Sequence, residues 1–316
     1  MFKPKLRLLA GLVLAATCIN LAQASAPLIG LAQASAPLIG VLTSKRDNFR
    51  TLLINNVEER AHTLDADLFL ENANSDSALQ LRQYRNLIAA HVDAVIVNLI
   101  DDSHTQEMLS LAMSSKVPLV FINYRPSVSP LPAYAGFVGS DEVEAATMQM
   151  EELARRAGYK GKVAILMGEP AHPATKLRTE SVEKVVAKYP DMQVVMKASA
   201  NWQRSEATER VLQWVDKGVA FDIVAANNDE MAIGAIRGLE KAGKPLAKYL
   251  VGGIDGTPDG LQEMREGKLA VSVLQDAKGQ GQGAVDMALR LANGSTSSNL
   301  TRVPFQLITP DNLASF

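Results

Sequence analysis

Val224-Ala225-Ala226-Asn227-Asn228-Asp229-Glu230-Met231-Ala232-Ile233-Gly234-Ala235 changes character in its middle. A short apolar run breaks into two amides and two carboxylates, and apolar periodicity resumes at Met231, Ile233 and Ile236. That pattern is a buried strand ending and a helix starting, with Asn228 or Asp229 placed to cap the helix and capping the safer role for Asp229. In open α/β sheets, ligands bind outside the carboxyl ends of the strands, where such polar residues emerge.

The same alternation extends in both directions. Upstream, apolar runs at Leu38–Leu42, Leu68–Leu70, Ala94–Asn98, Pro118–Ile122, Gly136–Gly139, Lys162–Met167 and Gln193–Met196 read as strands. Downstream, Tyr249–Gly252 and Ala270–Leu274 read the same way. Helical periodicity lies between most of them, as in Leu52, Leu53, Val57 and Ala61, or Leu79, Tyr84, Leu87 and Ile88 behind a capping Asp76. About ten strands interleaved with helices predict parallel sheets with right-handed crossovers. A single open sheet of that size is unusual, so the chain divides into two lobes. No Gly/Ser tether separates them, which predicts several short chain crossings instead.

The chain has 316 residues with a net charge of −2 and a hydrophobic content of 47%. No basic excess points to nucleic acid. Lys3, Lys5 and Arg7 precede an apolar run from Leu8 to Ile19 and the small residues Ala22-Gln23-Ala24. That is the layout of a secretory signal peptide, expected over residues 1–34, and the run is too short to span a bilayer. The sole cysteine, Cys18, falls inside it behind Thr17, which disfavours a lipid anchor. The exported chain then holds no cysteine and depends on its core rather than on disulfides. LAQASAPLIG at Leu21–Gly30 recurs unchanged at Leu31–Gly40, a repeat with no evident structural logic.

Polar residues at the strand ends are the candidate site. Asp47 beside Phe49 can cap a helix, but an acid next to an aromatic also suits a polyhydroxylated ring. The carboxylate accepts hydroxyl hydrogen bonds while the aromatic covers a C–H face. His172 has no second His or Cys at metal spacing, so no metal is expected, and Arg178 follows six residues on. Trp202 sits in a polar loop and reads as a ligand platform, whereas Trp214, with Val211 and Val215 beside it, reads as core. Asp255 and Gln275 end two further strands. Gly279-Gln280-Gly281-Gln282-Gly283 is a weak dinucleotide fingerprint because its third glycine comes one residue early. No Walker A string, nucleophile elbow or zinc-protease helix occurs, and nothing supplies a nucleophile with a base. A binding protein is expected, with no catalytic residue and no cofactor.

Together these strings resemble a periplasmic sugar-binding protein of the ribose and glucose/galactose type, a type I periplasmic binding protein. They are DNF at Asp47, FINYRP around Asn123, GEPAHP from Gly168 with Arg178, ANW at Trp202, ANNDEMAIGA around Asn228, GIDGTPDGL around Asp255 and VPF at Pro304. The resemblance spans about Pro37 to Phe316. It implies two Rossmann-like lobes joined by three hinge crossings near Gly139–Asp141, Leu274–Ala277 and Arg302–Phe305. One lobe would take residues 35–139 with 277–303, the other 140–275 with 305–316. It further implies ligand contacts from Asp47, Phe49, Asn123, His172, Arg178, Trp202, Asn228, Asp255 and Gln275, with Phe49 and Trp202 sandwiching a ring.

Departures bear on the ligand. Glucose/galactose receptors carry an acid where Ala174 stands and a tyrosine where Thr43 stands, and their calcium loop is missing at Arg155–Gly161. Gln275 is similar to the ribose side of the family. The wording around ANWQRSE, ANNDEMAIGAI and GIDGTPDGL resembles the inositol- and rhizopine-binding subgroup, which favours a cyclitol such as myo-inositol. The partners implied are that small molecule, an ABC transporter permease in the inner membrane and, in the alternative, a chemoreceptor, with the protein a monomer in the periplasm. A glucose/galactose- or ribose-type receptor, an exported carbohydrate-active enzyme and a repressor core stay open as alternatives. The last would need a helix-turn-helix where the leader stands.

Overall fold

The computed structural model describes residues 35–295 and 298–316. The expected signal peptide and the first copy of the repeat lie outside the described residues. The second copy does structural work, since its Leu38–Gly40 begin the first strand.

The first half runs β1 (Leu38–Thr43), α1 (Asn48–Thr63), β2 (Asp67–Asn72), α2 (Ser77–Ala89), β3 (Ala94–Val97), α3 (Thr105–Ser115), β4 (Leu119–Ile122) and β5 (Ala135–Gly139). The second half runs α4 (Glu142–Arg156), β6 (Gly161–Met167), α5 (Pro173–Val186), β7 (Met192–Ser199), α6 (Arg204–Asp216), β8 (Ile223–Ala226), α7 (Asp229–Lys241), β9 (Leu250–Gly252), α8 (Pro258–Arg265) and β10 (Ser272–Leu274). α9 (Ala277–Ala292), β11 (Leu300–Arg302) and β12 (Gln306–Ile308) complete the chain.

Two parallel sheets result. One has six strands in the order β11-β5-β4-β3-β1-β2, the other four in the order β7-β6-β8-β9, while β10 pairs antiparallel with β12. Middle strands such as β3, β4 and β8 are apolar throughout because helices cover both faces. All three are buried at every position. Each such Val, Leu or Ile contributes roughly 1.5–3 kcal/mol by leaving water. Four buried clusters follow, two flanking each sheet.

The chain passes between the sheets three times: Ser140 and Asp141 join β5 to α4, Gln275 and Asp276 join β10 to α9, and Val303–Phe305 join β11 to β12. These are the three crossings that the resemblance implies. The two last strands were not anticipated as strands, being short and only partly apolar. The glycine-rich run of α9 is a packing device rather than a nucleotide loop. A Cβ on Gly281 would stand 2.8 Å from Asn56 Cβ and 3.0 Å from the Leu53 carbonyl, so the glycine lets α9 press against α1.

Candidate functional site

All nine expected side chains line one cavity between the two sheets. Asp47 follows β1 and caps α1, its Oδ1 accepting from Arg50 N at 2.8 Å. Its Oδ2 also accepts from the Arg50 guanidinium, so cap and ion pair fix the same carboxylate. Asn98, 1% exposed at the end of β3, accepts from Arg50 Nε at 3.1 Å and from Ser44 Oγ at 2.6 Å. One strand end thus faces the cavity while its neighbour braces it.

Three site residues hold backbone angles that side chains seldom adopt. Asn123 has φ 66°, Trp202 has φ 65° and Asp255 has φ 122°. Each turns the chain sharply at a strand end and aims its side chain into the cleft. Such conformations cost on the order of 1–3 kcal/mol and cluster at functional sites.

Arg178 is the hub of the second wall. From α5 it donates through Nε to Glu142 Oε2 at 2.5 Å, through Nη1 to the Asn227 carbonyl at 2.6 Å and through Nη2 to Gln275 Oε1 at 3.3 Å. Burial works against its charge, but Glu142 and Asp255 outweigh it and its pKa is raised. Asp255, 6% exposed, is pushed well above the usual carboxylate range by burial, which Arg178 only partly offsets. Gln275 Nε2 is buried without a protein partner.

His172 caps α5 by accepting from Ala174 N at its Nδ1, 3.2 Å away. The proton of a neutral ring then sits on Nε2, which is buried and unpartnered. Burial, followed by Arg50, Arg178 and Lys45, pushes its pKa down to about 3, so the ring is neutral at physiological pH. Its edge meets Tyr124 at 5.2 Å and Trp202 at 5.5 Å between centroids. Trp202 itself lies against Gly168, where a Cβ would approach the indole to 2.1 Å. Sequence reasoning separates platform from core, but Trp202 is both. It is 7% exposed and belongs to the cluster that contains Trp214.

The opening stretch also needs correcting. Asn228, not Asp229, caps α7, with Oδ1 accepting from Met231 N at 3.0 Å. Asp229 is fully buried behind the site, where it accepts from Thr257 N at 2.7 Å and Ser272 Oγ at 2.7 Å. Burial raises its pKa to about 6 although these hydrogen bonds pull the other way. It ties the starts of α7 and α8 to β10.

Asn48, Arg50, Ala174, Glu142 and Glu230 also line the cavity, and of these only Ala174 was singled out from sequence. Arg50 and Asn48 flank the DNF string, while Glu230 adjoins Asn228, so adjacency was the available signal. Asn48 Nδ2 donates across the cleft to Glu230 Oε1 at 2.7 Å, and Lys45 pairs with Glu169. Arg204 holds Glu230 from behind with two hydrogen bonds of 3.0 Å. Among the described residues no cluster of three or more His, Cys, Asp or Glu could hold a metal, and no helix is long and apolar enough to cross a membrane.

Known proteins are similar to this chain. A protein of Rhizobium meliloti named for rhizopine binding is 43% identical over 274 residues, 85% of this chain and 89% of its own. A xylitol-binding protein of Mycolicibacterium smegmatis is 32% identical over 248 residues, 78% of this chain and 70% of the relative. An ABC transporter solute binding protein from Bacillus halodurans C-125, solved with bound myo-inositol, matches with a TM-score of 0.85 at 36% identity, covering 90% of this chain and 98% of that one. A profile described as the periplasmic binding protein domain matches residues 39–296. The chain belongs to the periplasmic binding protein family.

Proposed function

We propose that this protein is the exported solute-binding component of an ABC importer and that it closes on a cyclitol of the myo-inositol kind. The observation that supports this most is the convergence of carboxylate, amide, guanidinium and aromatic groups on one cavity between two lobes. Asp47 and Asp255 accept hydrogen bonds from ligand hydroxyls, Asn123, Asn228, Gln275 and Arg178 supply donors, and Phe49 and Trp202 cover the two faces of the ring. Such groups left unpaired in a buried site are costly, which rejects ring epimers that cannot match them.

Residues 35–139 with 277–303 move as one lobe and 140–275 with 305–316 as the other. Ligand favours the closed form because it touches both lobes, and only that differential affinity shifts the equilibrium. A permease in the inner membrane receives the ligand, and the protein works as a monomer in the periplasm without chemistry of its own. The binding-protein relatives and the lack of any nucleophile–base pair in the cavity support this over an enzyme. A thermal-shift series with myo-inositol, glucose, galactose and ribose tests the reading: myo-inositol should raise the melting temperature most, and increasingly with concentration. Silence from all four would overturn it.

A further inference from the structure

Asp229 is 0% exposed and lies behind the ring cavity rather than in its wall, yet it grips the turn that carries Asp255 on both sides. We propose that Asp229 is a positioning residue for ligand binding: it clamps residues 254–257 so that Asp255 is held with its carboxylate in the cleft. The inference rests on the cyclitol reading above and deepens it.

Asp255 has φ 122°, a conformation that glycine tolerates and other residues avoid, so its surroundings must over-determine it. Its own peptide groups are tied toward β10. Asp255 N donates to the Val273 carbonyl at 2.8 Å, and the Asp255 carbonyl accepts from Gln275 N at 3.1 Å. The flanking groups are tied to Asp229. Asp229 N donates to the Ile254 carbonyl at 2.7 Å, while its Oδ2 accepts from Thr257 N at 2.7 Å and Thr257 Oγ1 at 3.1 Å. Its Oδ1 accepts from Ser272 Oγ at 2.7 Å, and that hydroxyl accepts in turn from Gly256 N at 3.2 Å. One residue thus fixes the chain directly before and directly after the strained position.

The turn is built around that carboxylate. A Cβ on Gly253 would stand 2.2 Å from Asp229 Oδ1, and one on Gly260 would stand 2.5 Å from Oδ2, so glycines on both sides let the backbone close upon it. Thr257 caps α8 by accepting from Gly260 N at 3.2 Å, so the same carboxylate also anchors the start of that helix. Capping of α7 does not account for Asp229, because Asn228 does that. A buried carboxylate is costly unless its oxygens are satisfied, and here every donor that satisfies them belongs to the turn or to the hydroxyl bracing it.

Isothermal titration calorimetry with myo-inositol, together with amide hydrogen exchange, tests this on Asp229→Ala and on Ser272→Ala, which removes the hydroxyl between Oδ1 and Gly256 N. Asp229→Ala should weaken myo-inositol by about tenfold, as for one buried hydrogen bond lost. In an Asp255→Asn background the same change should cost about threefold or less, because the group it positions is already altered. In the ligand-free protein, amides 254–257 should exchange about tenfold faster while those of β3 and β4 hold. Ser272→Ala should act in the same direction to a smaller degree, and it decides the matter if Asp229→Ala does not fold. Equal weakening in both backgrounds, unchanged affinity, or exchange that rises equally throughout the chain would each overturn the inference. If the wild type binds no myo-inositol, the cyclitol reading falls, and the exchange comparison still decides whether Asp229 holds the turn.

Discussion

Arg178 Nη1 stands 3.8 Å from Asp255 Oδ1, within ion-pair distance but beyond hydrogen-bond reach, and both side chains are almost wholly buried. The gap leaves a carboxyl whose charge is poorly compensated and which can serve a ligand hydroxyl. Asp255→Asn should keep the fold while lowering ligand affinity by tenfold or more, roughly the effect of unpairing one buried hydroxyl contact. Arg178→Ala is a different case. It strands Glu142 and Asp255 without their cation and should destabilise the protein by about 3–5 kcal/mol. Denaturant unfolding and calorimetry separate the two, and equal stability losses would contradict this division.

Trp202 lines the cavity with one surface and packs in the second lobe's core with the other, so Trp202→Ala should fail on both counts. Binding should become undetectable, and stability should fall by roughly 3–5 kcal/mol as for other buried aromatics. A variant with a normal melting temperature would show that the indole is not core.

Lys45 to Glu169 and Asn48 to Glu230 are polar contacts that bridge the lobes at the cleft. Glu169→Gln should shift the ligand-free protein toward an open form, seen as a larger radius of gyration in solution scattering. Affinity should drop by a few-fold, because binding strength scales with the competent fraction. A contact of this kind is worth roughly 0–1 kcal/mol, so salt should narrow the difference between the two proteins. No change in radius or affinity would assign the ion pair no part in closure.

Ala174→Asp places a carboxylate where a single methyl now stands. The ligand ranking should move toward hexopyranoses by about tenfold relative to myo-inositol, as expected for one added hydroxyl partner. An unchanged ranking in the thermal-shift panel would refute the assignment.

His172 predicts an acid response. Its folded pKa of about 3 lies below the ordinary 6.5, so the unfolded chain binds the proton more readily. Stability is then lost as pH falls from about 6.5 toward 3. His172→Asn keeps a capping side chain and removes the titration, so its melting temperature should fall less than that of the wild type over this range. Asp229 has the opposite slope between its ordinary 3.8 and about 6, stability falling as pH rises, but it contributes to both proteins alike. Parallel pH profiles would remove His172 from the account.

Much of this was legible in one dimension because parallel sheets write themselves plainly. A strand buried on both faces is a continuous apolar run, and its polar end marks where the chain leaves the core, as at Asn123, Asn228 and Asp255. The nine side chains were therefore identifiable by their places in the alternation and by their resemblance to a family. What was not legible depends on rotation and distance. Asn228 and Asp229 are adjacent and chemically alike, yet one caps a helix toward the cavity and the other is turned 0% exposed toward Thr257 and Ser272. Glu142 and Glu230 became site residues only through partners far along the chain, Arg178 and Arg204. β11 and β12 are too short to carry a pattern, and only their neighbours define them.

Those two short strands also make each half depend on distant chain. β11 closes one edge of the first sheet against β5, α9 packs upon α1, and β12 supplies the strand paired with β10. Neither half is finished by the residues that begin it, since each takes pieces from residues 277–308. Pairings so distant along the chain must meet the cost of loop closure before they contribute, so both halves are completed late in folding.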